Sequence, residues 1–259
     1  MIFESHAHYE DGRFDEDREV LLNGMKDNNV GFIVNVSSTL ETIKSTLELT
    51  KQYDFMYGAV GIHPEAAAEL NDENFEWVKE MSKQPKIVSV GEIGLDYYWD
   101  EPERDIQKKW FERQVEWAKE IQLPMIIHSR DAAKDTIDML KTLHGEEVGG
   151  VIHCFGYGVE MAREFLNLGY YIGIGGVVTF KNGKKLREVA EYAPIESILL
   201  ETDCPYMAPE PNRGKRNDST NLIYVAKEIA KIKGMEYDDV IRITEENAKR
   251  MYRIASNLR

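Results

Sequence analysis

The stretch KIVSVGEIGLDYYWDEPERDIQKKWFERQVEWAKEIQLPMIIHSR, Lys86–Arg130, holds one complete structural unit. Its first apolar run, Ile87–Val90, is short and β-rich and reads as a strand, as does Met125–Ile127. Between them Ile106, Trp110, Val115, Trp117 and Ile121 recur near the helical period, which puts them mostly on one face. An apolar strand, an amphipathic helix and a second apolar strand make a βα unit of a parallel sheet. Outward from this stretch, similar runs recur about every 25 to 35 residues, the length of such a unit. They fall at Met1–Glu4, Val30–Val36, Phe55–Gly61, Gly150–Ile152, Tyr170–Ile174 and Ser197–Leu200, which brings the candidate strands to eight. Eight units in 259 residues predict an α/β protein of one domain, 1–259, closed as a (β/α)8 or TIM barrel. Arg213–Asp218 reads as a long loop after the eighth strand, followed by helices over Asn221–Lys233 and Glu236–Arg253.

Composition limits what such a barrel can do. With 46 acidic and 32 basic side chains the formal charge is −14, which excludes a protein that coats duplex DNA through overall basicity. No apolar run approaches the roughly 18–20 residues of a membrane helix, and the N-terminus lacks the basic and apolar regions of a signal peptide. Two cysteines make no disulfide framework, so a reducing cytoplasm is the expectation; a monomer is the default where no feature of the sequence sets the oligomeric state. Cys154 and Cys204 each follow a candidate ligand, so strand alternation predicts two free, buried thiols turned toward the helices.

Five of the six histidines, His6, His8, His63, His128 and His153, fall at the carboxyl ends of candidate strands, the rim where barrels of this kind place their chemistry. His6 and His8 are two apart and face the same side, as two nitrogen ligands of a metal would. Glu92 follows a strand and sits between glycines that let the backbone approach a ligand closely; its two oxygens suit it to bridge two cations. A helix-capping or salt-bridged glutamate is the other reading of Glu92. His128 and His153 each end an apolar run, and either alone reads equally as a hydrogen-bonded core histidine. Asp203 is placed to reach a metal and to take a proton from its water. Glu201, two residues earlier, reads either as the carboxylate that orients a ligand histidine or as a buried structural group. Asp96 and the neighbouring tyrosines border the mouth without an assigned role.

The motifs SHAHYED, GIHPE, GEIGLDYY, IIHSRDA, IHCFG, ETDCPY, RGKRND and TEENAKRMY, in this order over nearly the whole chain, resemble the TatD family of metal-dependent deoxyribonucleases. The resemblance implies two divalent ions, one held by His6, His8, Glu92 and Asp203, the other by Glu92, His128 and His153. It also implies phosphate binding by His63, Arg130 and the loop residues Arg213, Lys215 and Arg216. Histidine-rich ligation favours zinc or manganese on grounds of softness, whereas members of the family are often described as magnesium-dependent. The chain departs from the usual pattern at Glu4, where aspartate is common, at Glu65, where histidine is common, and at Ser219, where proline is frequent.

The leading expectation is therefore hydrolysis of DNA, a transient partner, by metal-activated water. The same ligands would serve an amide or ester hydrolase, including a D-aminoacyl-tRNA deacylase, and a non-catalytic scaffold ranks below both. The acidic clusters Glu10–Glu19, Glu69–Glu76 and Glu236–Glu246 are expected on helices and their flanks, away from the rim. Lys181, Lys184, Lys185 and Arg187 follow the seventh strand, and Arg213, Lys215 and Arg216 the eighth, where such barrels often bind phosphate. The 181–187 run reads equally as a solvated helix start.

Overall fold

The structure, a computed structural model, describes residues 1–255. Eight parallel strands pair in sequence order: β1 (Ile2–Ala7), β2 (Val30–Val36), β3 (Met56–Val60), β4 (Ile87–Asp96), β5 (Met125–Arg130), β6 (Gly150–Ile152), β7 (Tyr171–Ile174) and β8 (Ile198–Leu200). Around them lie α1 (Arg18–Asn23), α2 (Leu40–Gln52), α3 (Asp72–Met81), α4 (Arg104–Ile121), α5 (Ala133–Thr142), α6 (Val159–Asn167), α7 (Lys184–Tyr192) and α8 (Leu222–Lys233), with α9 (Tyr237–Met251) last. This is the expected (β/α)8 barrel. The final residues of the predicted single domain, 256–259, lie outside those described. No helix among the described residues is long and apolar enough to cross a membrane.

Three strands run past their apolar cores. β1, β4 and β5 extend through His6, Glu92 and His128, so these side chains stand on the strands and not on the loops beyond them, His6 and Glu92 at the points where the β1–β2 and β4–β5 ladders shift register. Strand alternation then sorts the residues of each stave. Ile93 and Leu95 point into the layer between barrel and helices, where Trp110, Phe111, Val115 and Trp117 of α4 meet them. A second buried cluster takes Phe3, Val34, Tyr57, Ile126, Val151 and Leu199 from six different strands and joins them to Ala248, Met251 and Tyr252. Val34, Ile126, Val151 and Leu199 alternate along their strands with Ile33, Ile127, Ile152 and Leu200 of the outer layer, so this cluster faces the barrel interior, and the end of α9 packs against it. The opposite end of the barrel is left for polar groups.

The barrel closes between β1 and the segment after β8. There, Ala7 bridges Cys204, the Asp203 N–H donates to the His6 carbonyl at 3.0 Å, and the His8 N–H donates to the Cys204 carbonyl at 2.9 Å. Glu4 fastens the same seam. Fully buried, it accepts from the His6 N–H (3.1 Å), the Thr202 N–H (2.9 Å), the Thr202 hydroxyl (2.6 Å) and the Ser219 hydroxyl (2.9 Å). Two of the chain's departures from the family pattern thus touch each other, and neither reaches into the site. Ser219→Ala removes one donor to Glu4 and the acceptor of the Tyr9 hydroxyl, which donates at 2.7 Å. The expected cost is about 1–3 kcal/mol by denaturant unfolding, the range for leaving a buried polar group unpaired. A variant as stable as the parent would show that the contact carries no stability.

Candidate metal centre

Glu92, on β4, is 3% exposed and stands at the centre of the rim. Its two oxygens divide the histidines between them. Oε1 lies 2.8 Å from His128 Nδ1, 2.9 Å from His153 Nε2 and 3.7 Å from His63 Nε2. Oε2 lies 3.3 Å from His6 Nε2 and 3.7 Å from His8 Nε2. Asp203 joins the second group, with Oδ1 3.7 Å from His6 Nε2 and 3.4 Å from His8 Nε2. His6 Nε2 and His8 Nε2 are 3.0 Å apart, so the two rings aim at one point. All six residues expected as metal ligands therefore converge, in two groups that share Glu92.

The glycines beside Glu92 have a packing role. They admit the neighbouring strand: a Cβ on Gly91 would stand 2.6 Å from Ile126 Cβ, and one on Gly94 would meet the His128 carbonyl oxygen at 1.9 Å. β4 and β5 pack backbone to backbone, which is what brings His128 against Glu92.

The electrostatics are those of an anionic cluster that collects cations. Burial raises the Glu92 carboxyl, but the charges of His153 and His6 and the bond to His128 outweigh it and hold the group well below the usual range. Asp203 behaves alike: the bond to His8 and the charges of His153 and His6 overcome burial and lower it. Burial lowers His128 as well, yet its bonds to Asp96 and Glu92 raise it to about 9. His6, where burial dominates and His153 adds repulsion, falls to about 4. A divalent ion displaces protons from such a set, because its ligands must be deprotonated. The histidine nitrogens and carboxylate oxygens suit zinc, manganese and related ions; on the side away from Glu92, the buried Nδ1 atoms of His6 and His153 make no hydrogen bond among the described residues.

Two carboxylates that sequence reasoning left without a role hold these rings. Glu10 Oε1 pairs with His8 Nδ1 at 3.2 Å, while its Oε2 accepts from Asn35 Nδ2 at 2.7 Å. Asp96 Oδ2 pairs with His128 Nε2 at 3.0 Å, while its Oδ1 accepts the N–H groups of Tyr98 and Trp99 at 2.9 and 3.1 Å. Each fixes the far nitrogen of a ring whose other nitrogen faces the centre. Glu10→Gln or Asp96→Asn should weaken divalent-metal affinity by about 10–100-fold, read by competition with a chromophoric chelator. Parental affinity in both variants would sink this assignment. Glu10 also corrects an expectation: it and Asp11 line the cavity over the centre, so the acidic segment Glu10–Glu19 begins at the rim instead of lying away from it.

Glu201 stands beneath His153, with Oε1 accepting the Cys154 N–H and lying 3.7 Å from His153 Nδ1; burial pushes its carboxyl up to about 8. His63 lies within reach of Glu92 and His128, in a group whose atoms could hold an ion. Its Nδ1, however, accepts the Glu65 N–H at 3.2 Å. The neutral ring then carries its proton on Nε2, which faces the centre as a donor and not as a ligand.

A cavity of about 280 Å³ opens over the centre, lined by His8, His63, Glu92, His128, His153 and Asp203. A neighbouring cavity of about 870 Å³ shares His63, His128, His153 and Asp203 and extends past Arg130, Tyr157 and Lys185. Cys154 lines it. Both thiols are free and Cys204 is buried as expected, but Cys154 is only half-buried and faces the cavity instead of the helices. Its backbone sits at φ +45°, which breaks the strand alternation from which the opposite direction was expected. Arg130 borders the cavity, whereas Arg213, Lys215 and Arg216 line neither. Arg216 instead pairs with Asp17 at 2.6 Å, Arg213 packs on the Phe180 ring at 4.2 Å, and Lys215 donates to Asn212.

A donor set of this kind at the carboxyl ends of barrel strands does its work through metal-activated water, and the class it defines is that of the metal-dependent hydrolases. The chain belongs to the TatD family, whose model for TatD related DNases matches residues 3–253. It is 44% identical to an uncharacterized metal-dependent hydrolase, YabD, of Bacillus subtilis, over 98% of this chain and 100% of that protein. It is 30% identical to the 3'-5' ssDNA/RNA exonuclease TatD of a Rahnella species, over 98% and 99% of the two chains. The crystal structure of YjjV, a TatD homologue from Escherichia coli, superposes with a TM-score of 0.92 at 29% identity, covering 98% of both chains.

Proposed function

We propose that this chain hydrolyses phosphodiester bonds of DNA with two divalent ions, one held by His6, His8, Glu92 and Asp203 and the other by Glu92, His128 and His153. The observation that carries this reading is the division of the histidines between the two oxygens of Glu92. Bound there, the ions would supply a water of lowered pKa and neutralise charge on the attacking and leaving oxygens of an in-line displacement. The protein's own groups do the rest. Asp203, kept ionised by His8, His153 and His6, takes the proton of the attacking water. The Arg130 guanidinium and the His63 Nε2–H donate to the non-bridging oxygens of the phosphate and hold it in line. Glu10 and Asp96 keep the rings of His8 and His128 in place, and Glu201 lies against that of His153.

The net charge of −14 is compatible with such a substrate because the grip is local: a few phosphates held at one mouth, with no coating of the duplex. The relative named as a single-stranded DNA and RNA exonuclease supports the choice of bond. The test combines metal analysis of the purified protein with incubation on a labelled single strand, a duplex and an aminoacyl-tRNA. Bound divalent metal and released nucleotides are expected. An intact strand beside a deacylated tRNA would replace this reading by that of an esterase, and a protein that retains no divalent metal would remove both.

A further inference from the structure

Among the described residues only four aromatic side chains are strongly exposed: Tyr98, Trp99, Tyr192 and Tyr206. Two of them, Trp99 and Tyr206, stand at the mouth of the metal centre, and Tyr98 packs against Trp99. Trp99 follows β4 and Tyr206 follows β8, staves that lie opposite each other in an eight-stranded barrel, and both line the 870 Å³ cavity into which the centre opens. Trp99 is 59% and Tyr206 47% exposed. Leaving this much ring surface in water forgoes burial energy, so its position beside the site asks for a ligand.

The surroundings of the rings say which kind. The Arg130 guanidinium lies 3.9 Å from the Tyr98 ring centroid and 6.0 Å from that of Trp99. Trp99 meets Tyr98 edge to face, 5.1 Å between centroids at 88°, which braces the indole from the side. Across the mouth, the Arg13 guanidinium lies 4.2 Å from the Tyr206 ring. Each wall thus pairs an aromatic face with a guanidinium, that of Arg13 being shared with Asp11 at 2.7 Å. A single nucleic-acid strand presents a base and a phosphate in each repeat and meets both features; a duplex, with its bases already stacked inside, meets only the cations.

We propose that Trp99, with Tyr206 opposite, is a base-stacking platform that selects unpaired nucleotides for the centre. This rests on the phosphodiesterase reading for its catalytic consequence, while the stacking itself is measurable without turnover. The probe is a fluorescein-labelled tetranucleotide with phosphorothioate linkages, and a second version in which the sugars lack bases, titrated into metal-loaded protein and followed by anisotropy. Trp99→Ala should weaken binding of the first probe about tenfold or more, the loss of one base stack. Trp99→Phe should retain most of the affinity. The probe without bases should bind weakly to the parent and no more weakly to Trp99→Ala, because ring and base are two sides of one contact. On a cleavable strand the same substitution should raise KM and leave kcat within about twofold, the pattern of binding lost equally from ground and transition states. Unchanged affinity in Trp99→Ala, or an equal loss on the probe without bases, overturns the platform even where cleavage proceeds. Stacking that behaves as described on a protein that leaves every cleavable strand intact keeps the platform and removes the nuclease reading.

Discussion

Glu92→Gln is expected to give a folded barrel that has lost bound divalent metal and at least about 10³-fold in kcat/KM, since polarisation by bound metal is worth several kcal/mol. The amide keeps the shape of the side chain but offers one oxygen where the carboxylate offers two. Whichever way it turns, an –NH2 faces either His128 and His153 or His6 and His8, and one of the two groups loses its anion. The charge that collects cations falls as well, because this carboxyl is held ionised by His153 and His6. The fold should persist, since the contacts of Glu92 are with site histidines while the seam of the barrel is tied by Glu4 and by backbone bonds. Elemental analysis for metal content, kcat/KM on a labelled strand and a circular-dichroism melt together separate these effects. Unchanged metal content, or activity within tenfold of the parent, would show that Glu92 bridges nothing.

How much of this site could be seen in advance follows from the range of each interaction. Glu92 and Asp96 belong to one strand, and His8 stands one residue past the strand that holds His6, so a period of two brings each pair to one side. That rule would have reached Asp96 too: Glu92-Ile93-Gly94-Leu95-Asp96 alternates polar or small with apolar residues, and only the glycines disguised it as the end of a strand. Glu10 stands two residues beyond His8, in the turn after β1, where strand alternation no longer points the way. What sequence could not show are contacts set by closure. Ser219 meets Glu4 from 215 positions away, and Arg216 meets Asp17 from 199. A run of basic residues after the eighth strand therefore reads as a phosphate loop, while in the folded chain Arg216 is engaged by an acidic partner from the first βα segment. The direction of Cys154 was lost for a related reason: its positive φ arises where the chain turns off β6, and strand alternation stops there.

Gly94→Ala is expected to cost the barrel at least about 3 kcal/mol and to yield little folded protein, because overpacking and backbone strain act at the same residue. Gly94 has φ +147°, a conformation that L side chains rarely adopt, and it pairs with His128 in the register of β4 and β5. A methyl group there would lie 1.9 Å from the His128 carbonyl oxygen and 2.8 Å from its carbonyl carbon. Neither strand can yield cheaply. β4 carries Glu92 and Asp96 on either side of the clash, β5 carries His128 between those two carboxylates, and Ile93 and Leu95 are fixed in the outer core. Any relaxation therefore pulls His128 from one partner or the other, so the folded fraction should also bind metal less tightly. Gly149→Ala separates strain from collision, since Gly149 has φ +67° and nothing within 4 Å of the added methyl. That variant should lose only about 1–2 kcal/mol, the cost of a left-handed backbone for an L-residue. Denaturant unfolding of both variants measures the difference. If Gly94→Ala proves as stable as Gly149→Ala, the close approach of β4 and β5 does not set the position of His128, and the geometry assigned to Glu92 loses its support.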